Sequence, residues 1–139
     1  IGKVFQLNDH TARDLMTPRV AAPTLDGSLS IESQRSRLME NNSQWWVVLG
    51  DQVDKVLGVA SREHLLTALL ENRGLLTPVD LCEQVDYVPE MIRADRLLTG
   101  FRKDSGGVRV VVDEFGGFVG VIGAEAVLAV LAGWWRKPA

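Results

Sequence analysis

The apolar positions of the chain form two similar blocks. Trp46–Gly58 aligns without a gap with Val108–Gly120, 62 positions further on. Each block contains a Val-rich run, a turn with Gly or Asp, and a second apolar run that opens at a glycine. Runs bounded by such turns are typical of paired β-strands. The pattern therefore predicts an internal repeat with a β-hairpin in each copy.

Helical periodicity surrounds both predicted hairpins. Behind the first hairpin, leucines recur with a 3.6-residue period and Ser61 stands where an N-cap belongs. Behind the second hairpin, Gly133 follows a similar apolar face as a natural terminator. Each repeat thus reads helix–strand–strand–helix, and we expect the two repeats to pack around one core. The predicted helices are 31–40, 61–72, 95–103 and 124–131, and short strands are predicted at 20–22 and 91–93.

Composition and charge exclude several classes of protein. The 139 residues are 46% hydrophobic and 24% charged, which excludes a disordered or fibrous chain. The formal charge of −3, without a basic block, argues against a nucleic-acid partner. A single cysteine, Cys82, forms no intrachain disulfide, which fits a cytoplasmic setting. The longest apolar run, Ala126–Trp135, is much shorter than the ~20 residues that span a bilayer.

Three short motifs occur in an informative order. Asp14–Arg19 reads DLMTPR, Val88–Glu90 reads VPE, and Val111–Gly117 reads VVDEFGG with Gly120 following. Together they resemble the tandem CBS (cystathionine-β-synthase) domain pair of the CorC/HlyC-type family. Members of that family are mostly membrane proteins linked to magnesium and cobalt efflux. The resemblance covers nearly the whole chain.

The resemblance implies a fold and a setting. The fold class is α/β (α+β), with two tandem CBS domains related by a pseudo-twofold axis. Domain 1, with an N-terminal lead-in helix, is expected at 1–73 and domain 2 at 74–139. The module is expected to form a homodimer through its helices and to be a cytoplasmic domain of an inner-membrane protein. Because the chain begins with Ile rather than Met, we expect it to be part of a longer protein, whose membrane domain would be its partner.

CBS pairs often bind adenine nucleotides in a cleft between the two domains. The family signature is Gly, two apolar residues, Thr or Ser, two further residues, and Asp. The Asp carboxylate accepts bonds from ribose hydroxyls, and the start of the following helix favours phosphate. In the first repeat, Ser61 keeps the hydroxyl, Arg62 is a candidate phosphate contact, and His64 replaces the Asp. In the second repeat, Gly123 and Ala126 replace both polar anchors.

The first repeat is therefore the better candidate for AMP or ATP, although neither repeat has the ribose-binding Asp. Each candidate also has a structural interpretation. Ser61 suits a helix N-cap, Arg62 a solvated first turn, and His64 a packed side chain or the lining of another pocket. Arg19 suits a solvated turn, and the apolar pair after it suits the core. The candidate nucleotide-binding residues are Arg19, Val20, Ala21, Ser61, Arg62 and His64.

Two hypotheses for the function follow. One is a regulatory module of a magnesium or cobalt transporter that senses a nucleotide and couples subunits. The alternative is a ligand-free structural dimerisation module that has lost its nucleotide anchors. A third and weaker hypothesis is direct Mg²⁺ sensing at Asp113–Glu114, which otherwise reads as a hairpin turn.

The sequence offers few candidate residues for catalysis or for metal binding. Cys82 lacks a nucleophile motif and suits a buried thiol. His10 and His64 are too far apart to suggest a metal site. We therefore predict that the chain is not an enzyme and has no dedicated metal ligands. In the pair Trp45–Trp46, strand alternation predicts one core and one partly exposed side chain, and an exposed Trp there or in Trp134–Trp135 would mark a partner contact.

Overall fold

The computed structural model describes residues 9–52, 55–104 and 107–136, and these form two compact units. The repeat-1 unit comprises residues 21–85, and the repeat-2 unit comprises 1–20 together with 86–139. Each unit has its own small sheet and helices, which confirms the predicted fold class. The division differs from the expected domain boundaries of 1–73 and 74–139. The segment that precedes each repeat, residues 11–18 for the first and 77–83 for the second, is its lead-in segment. Each lead-in segment belongs to the unit of the other repeat.

The repeat-1 unit has a three-stranded sheet in the order β2-β3-β4. Strand β2 runs parallel to β3, and β3 is antiparallel to β4. Its core contains Leu25, Ile31, Leu38, Trp46 and Leu65, all buried. The elements are β2 (Thr24–Asp26), α2 (Arg35–Glu40), β3 (Trp45–Leu49), β4 (Val56–Ser61), α3 (Arg62–Leu70) and α4 (Pro78–Leu81).

The repeat-2 unit has a four-stranded sheet in the order β1-β7-β6-β5. The same parallel and antiparallel pairs recur, and β1 adds a short antiparallel edge to β7. Its core contains Ala12, Leu97, Phe101, Ile122 and Val127. The elements are α1 (Ala12–Leu15), β1 (Thr17–Pro18), β5 (Asp86–Pro89), α5 (Ala94–Lys103), β6 (Val108–Val112), β7 (Phe118–Gly123) and α6 (Ala124–Arg136).

The strand register corrects the gapless alignment of the two repeats. Val48 pairs with Gly58 in the first hairpin, whereas Val111 pairs with Gly120 in the second. Residues before the hairpin turn therefore correspond at a spacing of 63, and residues after it at 62. The single-residue difference lies in the turn, where a change of length disturbs neither strand.

Gly58 and Gly120 occupy equivalent positions in the two repeats, and each is needed for the same structural reason. A side chain at Gly58 would overlap the carbonyl oxygen of Glu83, and a Cβ at Gly120 would lie 2.7 Å from the carbonyl oxygen of Thr17. Glu83 bridges to Val59 of β4 as Thr17 pairs with β7. Each glycine thus lets a lead-in segment approach the last strand of a hairpin closely.

The lead-in segments repeat a motif that the sequence analysis missed. Thr11 donates from its N–H and its hydroxyl to the Asp14 carboxylate, at 2.9 and 3.2 Å. Thr77 makes the same two bonds to Asp80, at the same distances. The shared pattern is Thr-x-x-Asp-Leu at a spacing of 66, and it closes the first turn of α1 and of α4.

The four predicted helices are confirmed, with a 3₁₀ turn at Glu32–Gln34 directly before α2. The prediction that Gly133 ends the last helix is wrong, because α6 continues to Arg136; a glycine inside a helix costs only about 1 kcal/mol relative to alanine. The two short strands are displaced from their predicted positions. Residues 19–21 form a 3₁₀ turn between two prolines, and the strand starts only at Thr24. Residues 91–93 follow the end of β5, where Ile92 N–H donates to the Pro89 carbonyl and closes a turn. Across the described ranges, no helix is long and apolar enough to cross a membrane.

Candidate functional site

Ser61 is the N-cap of α3. It ends β4 in an extended conformation, and its hydroxyl accepts the backbone N–H of His64 at 3.1 Å. The hydroxyl therefore satisfies one of the free N–H groups of the first helical turn. The sequence position of a family ligand contact is thus also a structural cap.

Arg62 points to another helix. Its Nη1 donates to the carbonyl oxygens of Leu38 and Asn41, the latter at 2.7 Å. Its backbone N–H donates to the Gln44 carbonyl at 2.7 Å. The half-buried Arg62 therefore connects the start of α3 with the end of α2. The sequence predicted either a phosphate contact or a solvated first turn for Arg62, and this contact with α2 is neither.

His64 stands exposed in the first turn of α3. This position excludes a packed core role for its imidazole. Glu63 beside it is also exposed. Ser61, Arg62 and His64 thus share one helix start, with one hydroxyl acting as a cap, one guanidinium bound to carbonyls, and one imidazole open to solvent.

Arg19, Val20 and Ala21 form a separate group in the 3₁₀ turn that follows β1. All three are exposed, and Val20 is 93% exposed. The interpretation of the apolar pair as core is therefore wrong. A nearly fully exposed valine in an ordered turn remains available for contact with a ligand or another surface.

The start of α6 differs from that of α3. Gly123 provides no hydroxyl, and a side chain there would overlap the Glu125 carboxylate, which folds back against this glycine. Ala126 is half-buried and apolar. A carboxylate beside the helix start opposes the binding of a phosphate there.

The acidic hairpin turn uses its carboxylate internally. Asp113 Oδ1 accepts the backbone N–H groups of Phe115 and Gly117, at 2.9 and 2.8 Å. These bonds define the turn between β6 and β7. Within the described residues, no group of three or more His, Cys, Asp or Glu side chains is placed to hold a metal ion.

The strand tryptophans behave as alternation predicts. Trp46 is 2% exposed and its Nε1 donates to the Ser43 carbonyl at 3.0 Å, whereas Trp45 is half-buried. Cys82 is half-buried rather than fully buried. Trp134 and Trp135 belong to α6, but their side chains lie outside the described residues.

Comparisons with known proteins agree with this architecture. The CBS domain family model matches residues 12–71. A UPF0053 protein of Synechocystis is 41% identical over 96% of this chain and 38% of its own length. The magnesium and cobalt efflux protein CorC of Escherichia coli is 27% identical over 94% of this chain and 44% of its own length. A solved CBS domain of a bacterial CNNM/CorC family Mg²⁺ transporter, in complex with ATP, has a TM-score of 0.86 at 28% identity, covering 95% of this chain and 94% of that one.

Two small sheets with their own helices, together with these relatives, define the class: the chain is a CBS-domain pair. Within that class the chain is similar to proteins of the CorC/CNNM-type family, as the three motifs indicated. The chain spans about two fifths of the length of the curated relatives it matches.

Proposed function

We propose that the chain is the cytoplasmic regulatory module of a CorC-like magnesium or cobalt transporter. It has no enzymatic activity of its own, senses an adenine nucleotide, and couples two subunits of the parent membrane protein. The observation that carries this proposal is the likeness, over almost the whole chain, to a transporter CBS domain solved with ATP.

The start of α3 is the proposed position of the nucleotide phosphates. This helix has nine residues, an N-terminal hydroxyl and an exposed imidazole in its first turn. The helix dipole and free N–H groups favour an anion at such an end. The start of α6 is less suitable, because the Glu125 carboxylate occupies the space beside Gly123. We therefore expect one nucleotide per chain, with Arg19–Ala21 as further candidate contacts.

Dimerisation through helices is supported by apolar side chains that their own unit leaves uncovered. On α6, Leu128 is 52% exposed, and Ala129 and Ala132 beside it are exposed too. On α3, Leu70 is 82% exposed, while Leu65 is spent on the core. An apolar helix face that solvent reaches is typical of a surface that another chain covers.

The test is isothermal titration of the chain with ATP, ADP and AMP, each with and without Mg²⁺, with light scattering to measure its mass. We expect the chain to have the mass of a dimer, and we expect each chain to bind one nucleotide saturably. Ser61→Ala should weaken binding severalfold, and Ser61→Thr should retain it because the hydroxyl remains. Ser36→Ala, an exposed serine in α2, is the matched control.

The alternative is a dimerisation module without a nucleotide. It is favoured by the loss of the ribose-binding Asp in both repeats, at His64 and Ala126. No heat at millimolar nucleotide, from a chain that still has the mass of a dimer, would establish this alternative. A monomer that binds nucleotide would contradict the coupling of subunits.

A further inference from the structure

We infer that Arg62 is a positioning residue that couples the occupancy of the α3 start to the connection between α2 and β3, residues 41–44. The inference rests on the proposed binding of a nucleotide at α3. It concerns what that binding changes elsewhere in the repeat-1 unit.

The end of α2 depends on Arg62. This helix has six residues, and the last carbonyl groups of any helix lack intrahelical partners. Leu38 and Asn41 present two such oxygens, and both accept from Nη1 of Arg62. A cation at the end of a helix also interacts favourably with the helix dipole. The single guanidinium therefore caps α2 with hydrogen bonds and with charge.

The connection that follows α2 is fixed at three points. The Asn41 side chain accepts the N–H and the hydroxyl of Ser43, at 2.9 and 2.7 Å. The Ser43 carbonyl accepts Nε1 of Trp46, and the Gln44 carbonyl accepts the backbone N–H of Arg62. Arg62 thus holds both ends of this connection, with its side chain at Asn41 and its main chain at Gln44.

An anion at the start of α3 competes for the same guanidinium. Arg62 is the first residue of α3 and directly follows the capping hydroxyl of Ser61. A phosphate adds the attraction of opposite charges to its hydrogen bonds with a guanidinium, whereas a carbonyl acceptor is neutral. A bound phosphate therefore draws the guanidinium from Leu38 and Asn41, and the connection loosens. The two arrangements differ in ligand affinity, as a switch requires.

The described residues of the repeat-2 unit lack an equivalent coupling. The residue that corresponds to Arg62 is Ala124, whose backbone N–H donates to the Gly107 carbonyl at 3.4 Å. The main-chain bond is thus repeated while the side-chain bonds are absent. Among the residues that the structure describes, coupling through a helix start therefore occurs in the repeat-1 unit.

Hydrogen exchange of the wild-type chain, with and without saturating Mg-ATP, tests the inference. We expect exchange at the amides of Ser43 and Arg62 to become about tenfold faster when ATP binds. Arg62→Ala should speed this exchange without ATP and abolish the further response to ATP. Arg62→Lys should restore part of the response. Arg35→Ala, at an exposed arginine of α2, should behave as wild type.

The outcomes separate this inference from the proposed function. If the wild-type chain binds no ATP, both are overturned. If it binds ATP while exchange in 41–44 is unchanged, only the coupling is overturned. An undiminished response to ATP in a folded Arg62→Ala chain would likewise overturn the role of Arg62.

Discussion

The helix before the hairpin ends against an arginine in both units, but the arginine comes from a different element. In the repeat-1 unit it is Arg62, from the start of α3. In the repeat-2 unit it is Arg109, from strand β6, whose Nη2 donates to the Gly100 carbonyl at 3.4 Å and to the Asp104 carboxylate. Asp104 is the C-cap of α5 and corresponds to Asn41, the C-cap of α2.

The origin of the arginine decides what each contact can transmit. Arg109 is 8% exposed, and its guanidinium lies 4.8 Å from the centre of the Phe101 ring. It joins a strand and a helix of one core, where packing holds it in one arrangement. Arg62 instead joins two helix ends, one of which is the candidate anion site. Both helix ends are capped by an arginine. The contact made by Arg109 is therefore fixed, whereas the contact made by Arg62 responds to an anion at the start of α3.

The largest expected effect tests the close approach that the two units share. Gly58→Ala should lower the free energy of unfolding by about 3 kcal/mol, because the new methyl overlaps the backbone carbonyl of Glu83. Gly120→Ala should cost about 2 kcal/mol, since one of the atoms it meets is the flexible thioether of Met16. Urea unfolding measures both, with Gly50→Ala in a hairpin turn as the milder control. Equal costs would contradict the difference between the units.

Replacing each capping arginine by methionine compares the two contacts directly. Arg109→Met should cost about 2 kcal/mol, because it removes an ion pair and bonds to carbonyls in a nearly buried setting. Arg62→Met should cost about 1 kcal/mol, because its carbonyl partners are better reached by water once released. The exposed Arg102→Met is the control and should change the free energy of unfolding by less than ~0.5 kcal/mol. Arg62→Met costing more than Arg109→Met would reverse the comparison.

Substitutions at the starts of α3 and α6 should have a smaller effect on stability. Ser61→Ala should destabilise the chain by about 1 kcal/mol through loss of the α3 cap. Gly123→Ser should add little to stability alone, because the Glu125 carboxylate fills the space that the new side chain needs. A gain in stability should appear only in the double variant that combines Gly123→Ser with Glu125→Ala. Thermal unfolding measures the three variants, and a full gain from Gly123→Ser alone would show that Glu125 does not obstruct this position.

The fold was largely predictable because its signals are local and repeated. Strand alternation predicted the burial of Trp46, and turn residues marked both hairpins. The one-residue gap in the alignment was not predicted, because a Val-rich strand such as Val108–Val112 aligns equally well with the other repeat at either spacing. Pairing with a glycine that faces a lead-in segment fixes the register, and that contact is long-range in the sequence.

The candidate site was predictable only in part. Ser61 was identified as a cap because its signal lies within three residues of the bond it makes. The contacts of Arg62 were not predicted, since its acceptors lie 21 and 24 residues away and are backbone atoms without a side-chain signature. The motif at Thr77–Asp80 was detectable by a search at a spacing of 66, but the change of spacing within each repeat concealed it.

Acid titration gives the smallest effect and again separates the units. Hydrogen bonds hold the pKa of Asp14 and of Asp26 below the ordinary value of 3.8, the former chiefly through the Thr11 backbone N–H and the latter chiefly through the Ser28 hydroxyl. Since both are lowered, their stabilisation is complete well above pH 3.8 and is lost as the pH falls through the lower folded-state values. Ser28→Ala should therefore remove the largest cause of the lowered pKa of Asp26, whereas Thr11→Ala should leave the largest cause of the lowered pKa of Asp14, which is the backbone N–H. Urea unfolding between pH 6 and about pH 2.5 measures the pH dependence of the free energy of unfolding. Asp14→Asn and Asp26→Asn are the reference variants that lack each carboxylate. An equal loss of pH dependence in Ser28→Ala and Thr11→Ala would refute the prediction.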